Sequence, residues 1–319
     1  MSRRVLITGV ASVVGSELAR RLVSAPEFEH VAGLDTRRPR DIDGVEFVEV
    51  DIRDPELTTV VAEARADTLV HNQIVRQPRP DLSARAMHDL NVMGSLQVVA
   101  ACERSESLRA VVVRGSAGIY GAEPQAPQFL TEQMARLYPL RSRFQRDVGE
   151  IETYFHTYAR RHPDVACTML RFQPSIGPGL DTQVTRYLSA PVAPTYLGFD
   201  PRIQLVHSLD ALDALVAAVR NPVRGPVNVA APGTIGLTRM VRMAGRPALP
   251  IAAPLFGPMT RSLTRIGVPS LSEDFTRLLR YGRAVDTRRL SEDIGFNPRR
   301  DTAAAVADYL EHRGNEGSP

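Results

Sequence analysis

The chain has 319 residues, a formal net charge of +3 and 43% hydrophobic residues, enough for a sizeable buried core. No apolar run reaches the roughly 18 residues that a membrane-spanning helix needs, so we expect no membrane span. The two cysteines, Cys102 and Cys167, lack metal-ligand spacing and fit a reducing compartment. We therefore expect a cytoplasmic protein without a metal site.

Every one of the 39 basic residues is an arginine. Arginine stays protonated at working pH, which excludes a lysine-type base, a Schiff base and the lysine of a Walker A phosphate loop. The arginines are scattered along the chain and no aromatic residues accompany them in clusters. This distribution argues against nucleic-acid binding.

The chain opens with a strand, a glycine turn and a helix. Val5–Thr8 is a short apolar run, and Ser16–Val23 has the apolar spacing of a helix. Between them, Gly9 permits a tight turn and Gly15 lets the helix pack close to the sheet. The helix N-terminus offers free N–H groups and a positive dipole end to a pyrophosphate, which predicts a dinucleotide site.

The second predicted strand, His30–Leu34, indicates which dinucleotide is bound. It ends in Asp35, about 20 residues after the glycines, where a carboxylate binds a ribose 2′-hydroxyl. Asp35 would repel a 2′-phosphate, whereas Arg37 and Arg38 would attract one. On balance we favour NAD over NADP.

The glycine turn departs from the usual pattern at Ser12. A middle glycine normally lets the backbone approach the pyrophosphate closely at this position. The serine side chain would either crowd the phosphate or bond it through its hydroxyl, and both alternatives stay open. We count Ser12 and the following Val13 among the cofactor-binding candidates.

Strand patterns continue to alternate with helical ones along the chain. Further strands are predicted at Val45–Val50, Thr68–His71, Ala110–Val113 and Ala166–Leu170. This alternation predicts an α/β fold with a doubly wound parallel sheet and a ligand at the carboxyl ends of its strands. We expect a dinucleotide-binding core at residues 1–179 and a small interwoven substrate lobe at residues 180–319, with 201–230 returning to the core.

Taken in order, these motifs resemble the extended short-chain dehydrogenases/reductases of the NAD-dependent epimerase/dehydratase type. Beyond the glycine turn, the matching stretches are Asp51-Ile52, Asn91–Gly94, Ser116–Gly121, Arg171, Ile176–Gly179, Leu205–Asp210, Gly225–Val229 and Asp286–Pro298. Within the family, the chain is most similar to an actinobacterial branch labelled as UDP-glucose 4-epimerase-like. The resemblance implies a Rossmann-like fold, bound NAD, a nucleotide-sugar or other small-molecule substrate, and a homodimer.

The resemblance also implies roles for individual residues. Cofactor contacts are implied at Asp51, Ile52, Asn72 and Pro174. Ser116 matches the family serine that binds and polarises a substrate oxygen.

The resemblance fails at the catalytic helix. In the family a Tyr-x-x-x-Lys pair supplies the acid/base and a lysine that lowers its pKa and holds the nicotinamide ribose. Phe144 and Val148 occupy these positions here, with no proton to donate and no charge. General acid–base catalysis contributes roughly 10²–10⁴-fold, so we expect no conventional turnover. We expect the neighbouring Asp147 and Glu150 to lie on solvated faces of the helix.

Three hypotheses follow. The first is a dinucleotide-binding protein without conventional turnover, and the second is an active enzyme with a rearranged acid/base built from Ser116, Tyr138 or His71. A buried histidine at the end of a strand is more often structural than catalytic, which weakens the case for His71. The third is an interaction protein in which Ser12 and Val148 have closed the cofactor site.

Overall fold

The computed structural model describes residues 3–39, 42–75 and 83–316. Its strands are β1 (Arg3–Thr8), β2 (Phe28–Asp35), β3 (Val45–Glu49), β4 (Thr68–His71), β5 (Ala110–Ser116), β6 (Ala166–Phe172), β7 (Ser175–Ile176), β8 (Ala193–Tyr196), β9 (Arg202–Ile203), β10 (Val206–His207), β11 (Gly225–Val229), β12 (Ile235–Gly236) and β13 (Ala248–Ile251).

The helices are α1 (Val13–Val23), α2 (Leu57–Glu63), α3 (Ala84–His88), α4 (Gly94–Glu103), α5 (Arg143–Arg161), α6 (Gln183–Ser189), α7 (Ser208–Arg220), α8 (Leu237–Met243), α9 (Ala253–Leu263), α10 (Glu273–Tyr281), α11 (Arg288–Glu292) and α12 (Thr302–Glu316). A π-helical segment, Asp89–Met93, joins α3 to α4. Short 3₁₀ turns lie at Ala117–Tyr120, Glu132–Met134 and Thr264–Ile266.

A seven-stranded parallel sheet forms the centre, in the order β11-β6-β5-β4-β1-β2-β3. The chain moves outward from β1 through β2 to β3, and then returns to place β4 on the other side of β1. The carboxyl ends of β1 and β4 therefore border the crevice where doubly wound sheets bind ligands. The predicted fold class is confirmed.

Two predicted strands extend further than their apolar runs. The prediction ends β5 at Val113 and β6 at Leu170, but the ladder continues through Gly115 paired with Arg171 and Ser116 paired with Phe172. Polar residues near the ends of these strands hid the extension, because backbone hydrogen bonds continue where the apolar side chains stop. The extension places Ser116 at the carboxyl edge of the sheet.

Both faces of the central sheet are covered by apolar clusters. On one face, Val5 and Ile7 of β1 pack beneath α1 and α7. On the other face, Leu6 packs with residues of α2, α4 and α5. Burial on both faces explains why these strands are continuous apolar runs, and each buried aliphatic side chain contributes about 1.5–3 kcal/mol of transfer free energy.

The C-terminal part contributes a third cluster. Ile176, Tyr187, Met240 and Val306 belong to it, together with further residues of α6, α8, α10 and α12. β11 pairs with β6 and so belongs to the central sheet. The domain boundary at residue 179 stays a prediction.

A membrane span and a metal site would each need a recognisable arrangement of residues. No helix in the described ranges is long and apolar enough to cross a membrane. Within residues 3–39, 42–75 and 83–316, no three His, Cys, Asp or Glu side chains are grouped so that they could hold a metal ion. Cys102 and Cys167 are buried free thiols.

Candidate functional site

The turn between β1 and α1 requires glycine at two positions. Gly9 has a φ of +72°, and a Cβ added there would lie 2.9 Å from the Cβ of Gln73. A Cβ on Gly15 would overlap the carbonyl oxygen of Gly9 and lie 2.9 Å from the Cα of Val10. The turn therefore brings α1 against the carboxyl edge of the sheet in a way that larger residues would prevent.

Ser12 is turned into this loop. As the N-cap of α1, its Oγ accepts a hydrogen bond from the Gly15 N–H at 3.1 Å and donates one to the Gly9 carbonyl at 2.8 Å. The Asn72 side chain donates to the same Oγ at 3.0 Å. The hydroxyl proton is thus already used within the loop, so the serine caps the helix and its hydroxyl is not a donor for a phosphate.

The first turn of α1 presents free donors. Among the described residues, no acceptor is found for the N–H groups of Val13 and Val14. The Val13 residue is 80% exposed. Two unpaired N–H groups at the positive end of an 11-residue helix form a suitable anion site.

Asp35 connects the end of β2 to the glycine turn. Its Oδ2 accepts a hydrogen bond from the Ala11 N–H at 3.0 Å, and its Oδ1 accepts one from the Thr36 N–H at 2.9 Å. The remaining lone pairs of both oxygens are available to a ribose hydroxyl. An open cavity of about 610 Å³ lies beside the turn and is lined on one side by Arg37 and Arg38.

The predicted adenine contacts differ in what they can offer. The Asp51 carboxylate accepts hydrogen bonds from the Arg53 backbone N–H and Nε, both at 2.9 Å, and the hydrogen bond from the Arg53 side chain lowers the pKa of Asp51. Ile52 is fully buried beneath Gly94, where an added Cβ would lie 2.5 Å from its Cδ1. The side chain of Ile52 is therefore part of the core, which leaves its backbone as the contact for a ligand.

His71 is a structural residue. Its Nδ1 is 2.9 Å from Thr8 Oγ1 and its Nε2 is 2.9 Å from Ser95 Oγ, so both ring nitrogens are hydrogen-bonded. Complete burial lowers the pKa of His71 to about 3. A neutral, fully bonded imidazole cannot act as the replacement base that the second hypothesis considered.

Two buried acceptors follow His71 at the edge of the sheet. Asn72 donates through Nδ2 to Gly9 O and Ser12 Oγ, while its Oδ1 has no partner among the described residues. Gln73 Oε1 is likewise buried without a partner in that part of the chain. An unsatisfied buried polar atom costs about 1–3 kcal/mol, so this edge suits a ligand that donates hydrogen bonds.

Ser116 and Phe144 flank the same point. The Ser116 Oγ accepts from the Gly118 N–H at 3.1 Å, and a Cβ placed on Gly118 would lie 3.2 Å from this Oγ and 3.4 Å from Phe144 Cε1. The edge of the phenyl ring thus lies next to the serine, where the tyrosine of the family pattern would belong. The ring brings no polar atom to this place.

Val148 lies in an apolar cluster one helical turn further along α5. The residue is 1% exposed and packs with Ala117, Ile119, Tyr120, Leu130, Ala230 and Val285. The cation that the family pattern supplies from this position is therefore replaced by core packing.

Two tyrosines near the site are engaged elsewhere. Tyr138 donates its hydroxyl to the Gln125 carbonyl at 2.8 Å in an exposed hydrogen bond. The hydrogen bond engages the hydroxyl in a surface loop, and a catalytic role for Tyr138 stays a prediction. Tyr120 is buried, donates to Asn228 Oδ1 at 2.7 Å, and burial raises its pKa to about 12.

A buried ion pair supports this part of α5. Arg171 donates through Nε and Nη2 to the two oxygens of Glu152 at 2.9 and 2.7 Å, and through Nη1 to Tyr120 at 2.9 Å. Both charged side chains are almost fully buried. Both residues match positions of the family pattern. Their contacts described above are all made to other parts of the protein, so we assign the pair a structural role.

Asp147 corrects an expectation. It was predicted to lie on a solvated face, but it is fully buried and its Oδ1 is 2.7 Å from Nδ1 of His88. Its Oδ2 has no partner among the described residues. Glu150 is exposed, as predicted. The sequence around Asp147 did not indicate its burial, because its partner His88 lies on another helix.

Pro174 lies directly after β6 and is partly buried. Its carbonyl accepts from the Val206 N–H at 3.1 Å, which joins the end of β6 to the two-stranded β7–β10 ladder. The residue therefore lies at the same carboxyl edge as Asn72 and Ser116.

Residues 5–230 match the model of the NAD dependent epimerase/dehydratase family. The chain belongs to this family. Uncharacterized protein Rv0501 of Mycobacterium tuberculosis is 36% identical over 317 residues, covering 97% of this chain and 84% of that protein. The UDP-glucose 4-epimerase of Mycolicibacterium smegmatis is 30% identical over 141 residues, covering 39% of this chain and 42% of the enzyme.

The fold of this family member is also found in solved structures. MoeE5 in complex with UDP-glucose and NAD has a TM-score of 0.74 and 21% identity, covering 99% of this chain and 100% of that one. At this level of identity the likeness shows the fold alone. The resemblance derived from the sequence motifs is confirmed by the family match and the mycobacterial relatives.

Proposed function

We propose that this protein binds NAD at the carboxyl edge of its sheet and does not carry out tyrosine-dependent turnover. The observation that carries the proposal is the Phe144 ring beside Ser116, at a site whose glycine turn keeps Gly9 and Gly15. The protein would act as a sensor, a scaffold or a partner subunit that uses the bound dinucleotide as a ligand.

The binding half of the proposal rests on three features of the structure. The N–H groups of Val13 and Val14 suit a pyrophosphate, Asp35 suits a ribose hydroxyl, and the unpartnered Asn72 Oδ1 suits a donor on the ligand. MoeE5, which shares the fold, was solved with UDP-glucose and NAD. Bound NAD would supply hydride chemistry at the edge beside Ser116. The carboxylate of Asp35 favours NAD over NADP.

The absence of conventional turnover rests on two side chains. Phe144 has no proton to exchange with a sugar hydroxyl, and Val148 offers no charge to lower the pKa of a neighbouring acid. Loss of general acid–base catalysis removes roughly 10²–10⁴-fold in rate. Ser116 alone polarises a substrate oxygen without moving its proton.

A second candidate function is supported by the contact between the partly exposed His88 and the buried Asp147. Asp147 immediately precedes Val148 on α5 and keeps one oxygen unpartnered, while the His88 side chain is 40% exposed. A histidine oriented by a buried carboxylate is a common general base. An enzyme with a rearranged acid/base would use this pair in place of the tyrosine.

The substrate class and assembly are part of the proposal. We infer a nucleotide sugar or a related small molecule beside Ser116, because MoeE5 was solved with UDP-glucose. We infer a cytoplasmic homodimer, supported by the exposed Met93 and Leu96 next to α5 (49% and 39% exposed) and by the free thiols.

The proposal is tested by separating binding from turnover. NAD affinity is measured by calorimetry, and conversion of UDP-glucose to UDP-galactose is followed by chromatography with NAD added. The proposal predicts NAD binding with no conversion above a heat-denatured control. Conversion that is abolished in His88→Gln would instead establish the second candidate. Conversion that survives in His88→Gln would contradict both.

A further inference from the structure

Arg114 is a cation within an otherwise apolar strand. β5 contains Val111, Val112 and Val113 before it, and Gly115 and Ser116 after it. Because side chains alternate along a strand, Arg114 lies on the same face as Val112, which belongs to the cluster beneath α1 and α7. It therefore lies near the carboxyl edge of the sheet, on the face that carries the glycine turn.

The neighbours of Arg114 are set by the register of the sheet. On one side it pairs with Leu170 of β6. On the other side, Val113 pairs with His71, so Asn72 directly follows the residue beside it. Arg114 lies two residues before Ser116 on β5. Asn72 directly follows the end of the adjacent strand, β4.

No hydrogen bond or ion pair holds the Arg114 guanidinium among the described residues. The contact that the structure provides is the Phe172 ring, whose centroid lies 5.8 Å from Cζ. Burial lowers the pKa of Arg114 to about 10, so the side chain stays charged at neutral pH. Arg114 is only partly exposed to solvent. A charge that is partly removed from water without a hydrogen-bonding partner is unfavourable, so the contacts among the described residues do not by themselves account for an arginine here.

The path of a dinucleotide over this sheet can be inferred from the order of its strands. Asp35 at the end of β2 marks the adenosine half, and the N-terminus of α1 marks the pyrophosphate. The second half must extend away from β2, over the ends of β4 and β5. Arg114 and Asn72 lie at those two strand ends.

We propose that Arg114 lies against the nicotinamide half of the bound dinucleotide and makes the site prefer NADH over NAD⁺. This inference rests on the proposed function. The oxidised nicotinamide ring carries a positive charge and the reduced ring carries none, so a fixed cation repels the oxidised form alone. The unpartnered Asn72 Oδ1 accepts from the carboxamide, which is the same in both forms. At the separations of neighbouring groups near a protein surface, this repulsion favours NADH by on the order of tenfold or more.

The test compares three ligands on three proteins. NADH, NAD⁺ and ADP-ribose, which lacks the nicotinamide, are titrated by calorimetry into the wild type, Arg114→Ser and Arg104→Ser. Arg104 is an exposed arginine at the C-terminus of α4, so its substitution makes the same change of charge away from the site. We expect the wild type and Arg104→Ser to bind NADH at least about tenfold more tightly than NAD⁺. In Arg114→Ser the ratio should approach one through tighter NAD⁺ binding, with ADP-ribose unchanged.

Four other outcomes would each overturn the inference. Equal affinities for NADH and NAD⁺ in the wild type overturn the inference without reference to any variant. A ratio that Arg114→Ser leaves unchanged also overturns it, provided that thermal unfolding shows the variant to be folded. Weaker ADP-ribose binding in Arg114→Ser would place the arginine on the diphosphate and overturn the nicotinamide assignment. Failure of all three ligands to bind the wild type would overturn the proposed function as well.

Discussion

The Phe144 ring edge and the Ser116 hydroxyl both approach Gly118: a Cβ added there would lie 3.4 Å from Phe144 Cε1 and 3.2 Å from Ser116 Oγ. The serine that would polarise a substrate oxygen is thus retained, while its expected proton-transfer partner is replaced by a hydrocarbon. On the proposed function, this site therefore binds a dinucleotide without the proton chemistry that the family pattern implies.

Restoring the pair should restore some activity. Phe144→Tyr with Val148→Lys supplies both the hydroxyl and the cation, so we expect UDP-glucose conversion to become measurable, on the order of 10²-fold above the background rate seen with the wild type. Phe144→Tyr alone should gain less, because no charge lowers the pKa of its hydroxyl. The control is Phe144→Leu with Val148→Met, which keeps both positions apolar. No gain in a folded double variant would show that other parts of the site have also changed.

Substituting Gly15 should weaken dinucleotide binding. An added Cβ overlaps the Gly9 carbonyl, so the turn must open and lose its position against the sheet. We expect Gly15→Ala to weaken NAD binding by about tenfold or more, since even 1.4 kcal/mol of strain has that effect. Gly257→Ala is the matched control, because nothing lies within 4 Å of its added Cβ. Unchanged affinity in Gly15→Ala would mean that NAD binds elsewhere.

The buried His71 should make stability depend on pH. Its pKa is about 3 in the fold and 6.5 when unperturbed, so the unfolded chain binds the extra proton between these values. Its contribution is complete above pH 6.5 and is lost as the pH falls toward 3, at up to ~1.4 kcal/mol per pH unit. Chemical denaturation of the wild type and His71→Gln across this range measures the difference. His312→Gln, at an exposed histidine, should follow the wild type. Parallel pH profiles for all three would contradict the assignment.

The His88–Asp147 contact should stabilise the protein whatever its chemical role. Asp147 is fully buried and its hydrogen bond to His88 is 2.7 Å long, so the two side chains should be energetically coupled. A double-mutant cycle with His88→Ala and Asp147→Ala should give ~0.5–3 kcal/mol of coupling in urea unfolding. The same cycle with Glu150→Ala, at an exposed position on α5, should give a value near zero. A null result for Asp147 would indicate that the pair is not formed in solution.

Local patterns in the sequence were sufficient for the sheet and the glycine turn. The apolar run before Gly9 and the spacing of Gly9 and Gly15 are each formed by residues close together in the sequence. Both features could therefore be predicted without knowing the fold. The conformation of Ser12 was not predictable, because it depends on Asn72 from a distant strand. The burial of Asp147 was not predictable for a similar reason, since its partner His88 lies on another helix.

Arg114 stands out in the sequence, but its surroundings could not be predicted from it. A charged residue in the run Val-Val-Val-Arg-Gly-Ser is a signal that the sequence does contain. Its meaning depends on the strand register, which places it near Asn72, and on its contacts among the described residues, where it faces the Phe172 ring and no hydrogen-bonding group. Pattern reasoning can detect such a residue but cannot show whether the fold pairs it.

The most direct test of the account is the cofactor content of the purified protein. The protein is denatured, the released NAD(H) and NADP(H) are assayed enzymatically, and the native protein is then titrated with each dinucleotide by calorimetry. The account predicts that NAD(H) is released or binds with micromolar affinity, and that NADP(H) binds more weakly. No release together with no binding at millimolar NAD(H) would contradict it and would direct the search toward protein partners.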